Sequence, residues 1–122
     1  MNRLGVMMSG LALTIAGAAS AAAEDGAELF VKNCQTCHVI AKDGGVRVGP
    51  PLRGVIGRKA GAIEGFNYSP GLKASGIVWS EQTLDQWLTW PKKMVRDTFM
   101  LYRQSDPEIR KAIIDYIAAQ KD

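Results

Sequence analysis

Cys34, Cys37 and His38 are the residues of this chain whose types and spacing speak most directly of chemistry. They stand as Cys34-Gln35-Thr36-Cys37-His38, the C-x-x-C-H spacing of c-type haem attachment. The reason is local. Two thiols on one helical turn reach the two vinyl groups at one edge of a porphyrin, and the next residue projects its imidazole at the iron. Three other chemistries compete for such residues. A zinc site wants four ligands, and beyond these two cysteines and one histidine the chain has no further Cys or His. A thioredoxin-like redox pair needs a βαβ setting, which the sequence pattern does not supply. A structural disulfide between positions so close closes too small a loop to stabilise much. One covalently attached haem c, with its iron, is the reading these residues favour.

An iron held by His38 needs a ligand on its other face. His38 is the only histidine, so two histidines from one chain are excluded. Of the five methionines, Met1, Met7 and Met8 fall at the extreme N-terminus, which leaves Met94 and Met100. His/Met ligation raises a haem's reduction potential, whereas the ordinary use of a methionine is to fill a core. Composition does not choose between the two.

The elements that must position these residues begin after a segment that reads as a leader. Arg3, the apolar stretch from Leu4 to Ala18 and the small residues Ser20 to Ala23 follow the layout of a cleaved signal peptide. The alternative, an uncleaved membrane anchor, is disfavoured because a spanning helix needs about 20 apolar residues. The expected mature domain is 24–122, exported and small enough to need a staple or a large apolar cofactor. Cleavage removes Arg3 alone among the charges, so the 15 basic residues become 14 against 12 acidic ones. That balance argues against nucleic acid or an anionic membrane as partner.

Apolar residues at Ala27, Phe30, Val31 and Cys34 predict a helix running into the cysteine motif, with Glu24 and Asp25 at its start. Glycines and prolines from Gly44 to Gly61 break any periodicity and predict a long loop wrapped on a cofactor. Ser69-Pro70 opens a short helix that Gly76 stops. Ser80 caps another with Leu84, Trp87 and Leu88 on one face, ended by Pro91. Asp106-Pro107 opens a C-terminal helix with Ile109, Ile113, Tyr116 and Ile117 on its apolar side. The sum is an all-α domain of about four short helices and extended loops.

In this order and at these spacings the motifs resemble the class I cytochromes c, of the mitochondrial cytochrome c and bacterial cytochrome c2 type. The likeness rests on Cys34–His38, Gly49-Pro50, Gly57-Arg58-Lys59-Ala60-Gly61, Gly65-Phe66-Asn67-Tyr68-Ser69, Gly76-Ile77-Val78-Trp79, Leu84 and Pro91-Lys92-Lys93, and it resumes in Arg110 to Ile117. The resemblance implies short helices and long loops around one covalent haem, with Met100 as the axial methionine. It also implies that the carbonyl of Pro50 accepts the second ring N–H of His38, and that Arg58, Tyr68 and Trp79 surround a haem propionate.

The same comparison marks departures. The family usually reads Pro-Gly-Thr-Lys-Met, where this chain has Arg96-Asp97-Thr98-Phe99-Met100. Without Pro-Gly the turn is no longer preset, so the loop must either move more or be held by other contacts. The lysines that ring the family's exposed haem edge are thinned at Asn33 and Phe99, with Lys92, Lys93 and Arg96 retained. Trp87 stands where the family often has a tyrosine beside the methionine sulfur, and an indole N–H donates a hydrogen bond without accepting one. The implied function is that of a periplasmic, monomeric single-electron carrier, docking transiently with periplasmic or membrane-bound redox proteins. No small-molecule substrate or catalytic residue is expected. Two rivals remain: an electron-accepting subunit of a periplasmic dehydrogenase, and a haem sensor or peroxidase with Met100 dissociated.

Overall fold

Asp25 starts the first helix by accepting the N–H of Ala27 on Oδ1 at 2.8 Å, which satisfies one of the donors a helix start leaves open. The computed structural model describes residues 25–122 together with Gly5, Ala12 and Gly17, so the leader expected over 1–23 lies almost wholly outside the described residues. Helix α1 spans Gly26–Asn33 and buries Leu29 and Phe30. Val31, expected on the buried face, is 59% exposed. The buried stripe is turned by one position because the C-terminal helix crosses α1 at Gly26. A Cβ at Gly26 would collide with the carbonyl of Ala112 and with Cβ of Tyr116.

Four further helices follow, each opened by a proline or a side-chain cap. Helix α2, Pro70–Ala74, is capped by Ser69 Oγ accepting from Leu72 N, and Gly76 turns the chain away at φ +69°. Helix α3, Glu81–Thr89, starts in a reciprocal capping box. Thr83 N donates to Ser80 Oγ at 3.1 Å and Ser80 N donates to Thr83 Oγ1 at 2.8 Å. Pro91 was expected only to end this helix. It also opens another, α4, Pro91–Met94. The residue before a proline is pushed to extended backbone, as Trp90 is, while the proline's own φ suits a first helical position. Helix α5, Pro107–Ala119, is capped by Asp106 Oδ1, which accepts from Glu108 N at 2.8 Å.

The core lies where α5 packs on α1 and α3. Ile113 is fully buried, with Ile114 and Ile117, against Leu29, Phe30, Leu84 and Leu88. Phe30 and Tyr116 meet with ring centroids 5.6 Å apart. Arg110, itself buried, ties α5 to α3 through Asp85 at 2.7 Å and to the carbonyls of Gln104 and Ser105 at 3.0 Å each. The glycine-rich loop is fastened by a short antiparallel contact that no alternation in the sequence announces. Trp79 N donates to Arg58 O at 2.9 Å, Gly57 N to Trp79 O at 2.7 Å and Ala60 N to Ile77 O at 2.7 Å. This contact puts Arg58 and Trp79 on one wall. Among the described residues no helix is long and apolar enough to cross a membrane.

Candidate functional site

Helix α1 ends at Asn33, and the chain continues into a tight turn in which Cys37 N and His38 N both donate to Cys34 O, at 3.1 and 2.9 Å. That turn brings Cys34, Cys37 and His38 to the wall of one cavity of about 410 Å³, a size usual for a bound cofactor. Neither cysteine is in a disulfide. Before any attachment, burial, and then the neighbouring Cys37, pushes the Cys34 thiol up to about 11.

His38 is fixed by its own surroundings. Its Nδ1 lies 2.8 Å from the carbonyl of Pro50. A carbonyl can only accept, so Nδ1 carries the proton and Nε2 keeps its lone pair. Burial holds the imidazole below its ordinary pKa, and the Pro50 bond partly opposes this. The result is a neutral ring with one nitrogen free to ligate a metal. Gly49 lies against the ring so closely that any Cβ there would collide with it, and Gly49 N donates to Cys37 O at 2.8 Å. The glycine is required by this close approach.

Met100 lines the same cavity. Trp87 Nε1 donates to its Sδ at 3.1 Å, and Met100 N donates to Thr98 Oγ1 at 3.2 Å. Trp87 is buried and packs edge-on to Trp79, with centroids 5.3 Å apart. Met94 does not line this cavity. It borders a separate surface groove with Gly71, Ile77, Val95 and Asp97.

Pro50, Arg58, Tyr68 and Trp79 are also at the cavity wall. Arg58 donates through Nη1 to Pro51 O at 2.6 Å and through Nη2 to Arg53 O at 2.7 Å. Burial lowers its pKa and Tyr68 opposes that, but a guanidinium stays charged at any physiological pH. Tyr68 Oη accepts from Ile63 N at 3.2 Å, and its ring meets Phe66 edge-on at 4.7 Å. All eight residues singled out from the sequence thus border one space, drawn from separate stretches of the chain. Sequence reasoning did not single out Ser69 and Thr98 as site residues, although both are buried hydroxyl residues at this wall. Ser69 carried only a helix-cap signal, and Thr98 carried only its place in the loop before Met100. The remaining lining is mainly apolar, including Leu52, Val55, Leu84, Leu88 and Ile117.

This donor set suits haem c. The two thiols, the neutral imidazole and the thioether all border one largely apolar cavity, with the fixed cation of Arg58 at its wall. Among the described residues no group of three or more His, Cys, Asp and Glu is placed to hold a bare metal ion, which disfavours the zinc reading. Residues 23–121 match the family model described as Cytochrome c. The chain belongs to the cytochrome c family. It is 37% identical to the cytochrome c2 of Rhodomicrobium vannielii over 98% of both chains. It is 44% identical to the cytochrome c-550 of Ancylobacter novellus over 70% of this chain and 81% of the other. Similarity extends to eukaryotes: the cytochrome c of Gibberella zeae is 44% identical over 63% of this chain and 73% of its own. The fold is accordingly the all-α class I cytochrome c fold, its group is covalently attached haem c with iron, and the family's work is electron transfer.

Proposed function

We propose that this family member is a periplasmic single-electron carrier whose haem is attached through Cys34 and Cys37 and ligated by His38 and Met100. The observation that carries the reading is the pairing at one cavity of an imidazole with Nε2 free and a thioether whose sulfur is held by Trp87. Haem c, when bound, supplies a one-electron ferrous–ferric couple. The chain's residues do the rest. Pro50 orients His38, and the apolar wall keeps water from the ligands. Trp87 and Thr98 hold Met100 in place, which supports a carrier over a sensor or peroxidase that opens its site. Arg58 lies where its fixed charge can stabilise a propionate. No side chain has to move a proton for an electron to pass. The periplasmic assignment rests on the leader-like residues 1–23, whose removal would begin the mature chain near Glu24.

The dehydrogenase-subunit reading is favoured by one observation: Phe99 and Leu101, at the cavity wall, are 65% and 77% exposed. An apolar rim suits a standing partner better than a lysine ring does.

The attachment is tested by co-expressing the chain with a periplasmic haem-ligation system and separating the exported protein under denaturing conditions. Haem colour should stay with the polypeptide, and sequencing should start near Glu24. In Cys34→Ser with Cys37→Ser the colour should be extractable or absent. Haem retained covalently in the double variant would rule out the assignment.

A further inference from the structure

The segment leading into Met100 is held by a side chain. Asp97 Oδ2 accepts the backbone N–H of Gly71, the second residue of α2, at 2.9 Å. Among the described residues this is the one hydrogen bond joining α2 to residues 95–100. Helix α2 packs against no other helix; it rests on the core through Leu72, while Val95, buried in the core, anchors the start of the loop. Gly71 leaves room for the contact, since any Cβ there would collide with the Asp97 carboxylate.

From Asp97 the restraint passes directly to the methionine. Thr98 is buried, its N–H donates to Val95 O at 3.2 Å, and its Oγ1 takes the N–H of Met100 at 3.2 Å. The turn is therefore pinned from outside by Asp97 and from inside by Thr98. Proline and glycine, which would preset such a turn, are absent from 96–99.

We propose that Asp97 is a positioning residue: its carboxylate latches the methionine loop to α2 and so keeps the Met100 thioether on the iron. The proposal rests on the reading of Met100 as ligand. A carboxylate bonded to a backbone N–H is a charge-assisted contact, but Asp97 is exposed, so the latch is modest. It opens the loop without unfolding the core around Ile113. A small external ligand binds the ferric iron only in the open state, and its apparent affinity follows the open fraction.

The test is cyanide binding to the ferric holoprotein, read with the methionine–iron charge-transfer band. Asp97→Ala should bind cyanide about five- to tenfold more tightly, the scale of one such hydrogen bond. Gly71→Ala, which keeps the carboxylate but displaces it, should behave similarly. Asp97→Asn, whose neutral amide oxygen still accepts from Gly71, should fall between wild type and Asp97→Ala. Ile113→Val should lose stability while leaving cyanide affinity unchanged, separating the latch from general loosening. If Asp97→Ala and Gly71→Ala bind cyanide as wild type does, while Met100→Ala binds it far more tightly, the latch is wrong and the ligand stands. If Met100→Ala binds cyanide no better than wild type, the ligand assignment itself fails.

Discussion

Trp87 donates its indole N–H to the sulfur of Met100, and the bond has a sign. With Met100 as the proposed ligand, it would draw electron density from the thioether, favour ferrous over ferric iron and so raise the reduction potential. A neutral hydrogen bond is worth about 0.5–1 kcal/mol, and a tenfold change in a one-electron equilibrium is about 59 mV. Replacing Trp87 with phenylalanine keeps an aromatic ring and removes the donor. Redox titration should find the potential lowered by roughly 20–40 mV; an unchanged or raised potential would show that the bond does not tune the iron. At this scale the sequence was informative wherever chemistry demands a residue type. The cysteines, the lone histidine and the methionines could be counted. Ser69 and Thr98 could not be read in the same way, because a hydroxyl near a cap or in a loop has many ordinary uses.

Elements carry the second layer. Helix starts were legible, because Ser69, Ser80 and Asp106 are capping residues followed by proline or a cap-box partner. The face that each helix buries was less so. Periodicity put Val31 inside α1, but close approach of α5 at Gly26 rotates the buried stripe onto Leu29 and Phe30. That approach is itself testable. Gly26→Ala would drive a methyl group into Ala112 and Tyr116, and overpacking of this kind costs about 1–3 kcal/mol despite alanine's better helix propensity. Denaturant unfolding of the ferric holoprotein should show a lower midpoint with an unchanged slope. A midpoint equal to or above that of wild type would mean that α1 shifts freely, and that the crossing is not what sets its register. Helix α4 is not legible in the same way because a proline after an apolar stripe reads as a helix end, although proline also suits the first turn of the next helix.

Over the whole molecule, loops rather than helices bring the site together. His38 follows α1, Pro50 and Arg58 come from the glycine-rich loop, Tyr68 and Trp79 flank α2, and Met100 lies between α4 and α5. The glycine-rich stretch gave no periodic signal. It is held by scattered backbone bonds, such as Leu52 N to Val39 O at 2.9 Å and Gly54 N to Gln120 O at 2.8 Å. Only likeness to a family could anticipate that arrangement. The cavity they enclose, about 410 Å³, has the size usual for a bound cofactor. One proposal joins all scales: that residues 38 and 100, far apart in sequence, hold the same iron. The ferric absorption spectrum of the holoprotein tests it most directly, recorded for wild type, Met100→Ala and Met94→Ala. The methionine–iron charge-transfer band should be present in wild type and Met94→Ala and absent in Met100→Ala; a band that survives in Met100→Ala would contradict the account.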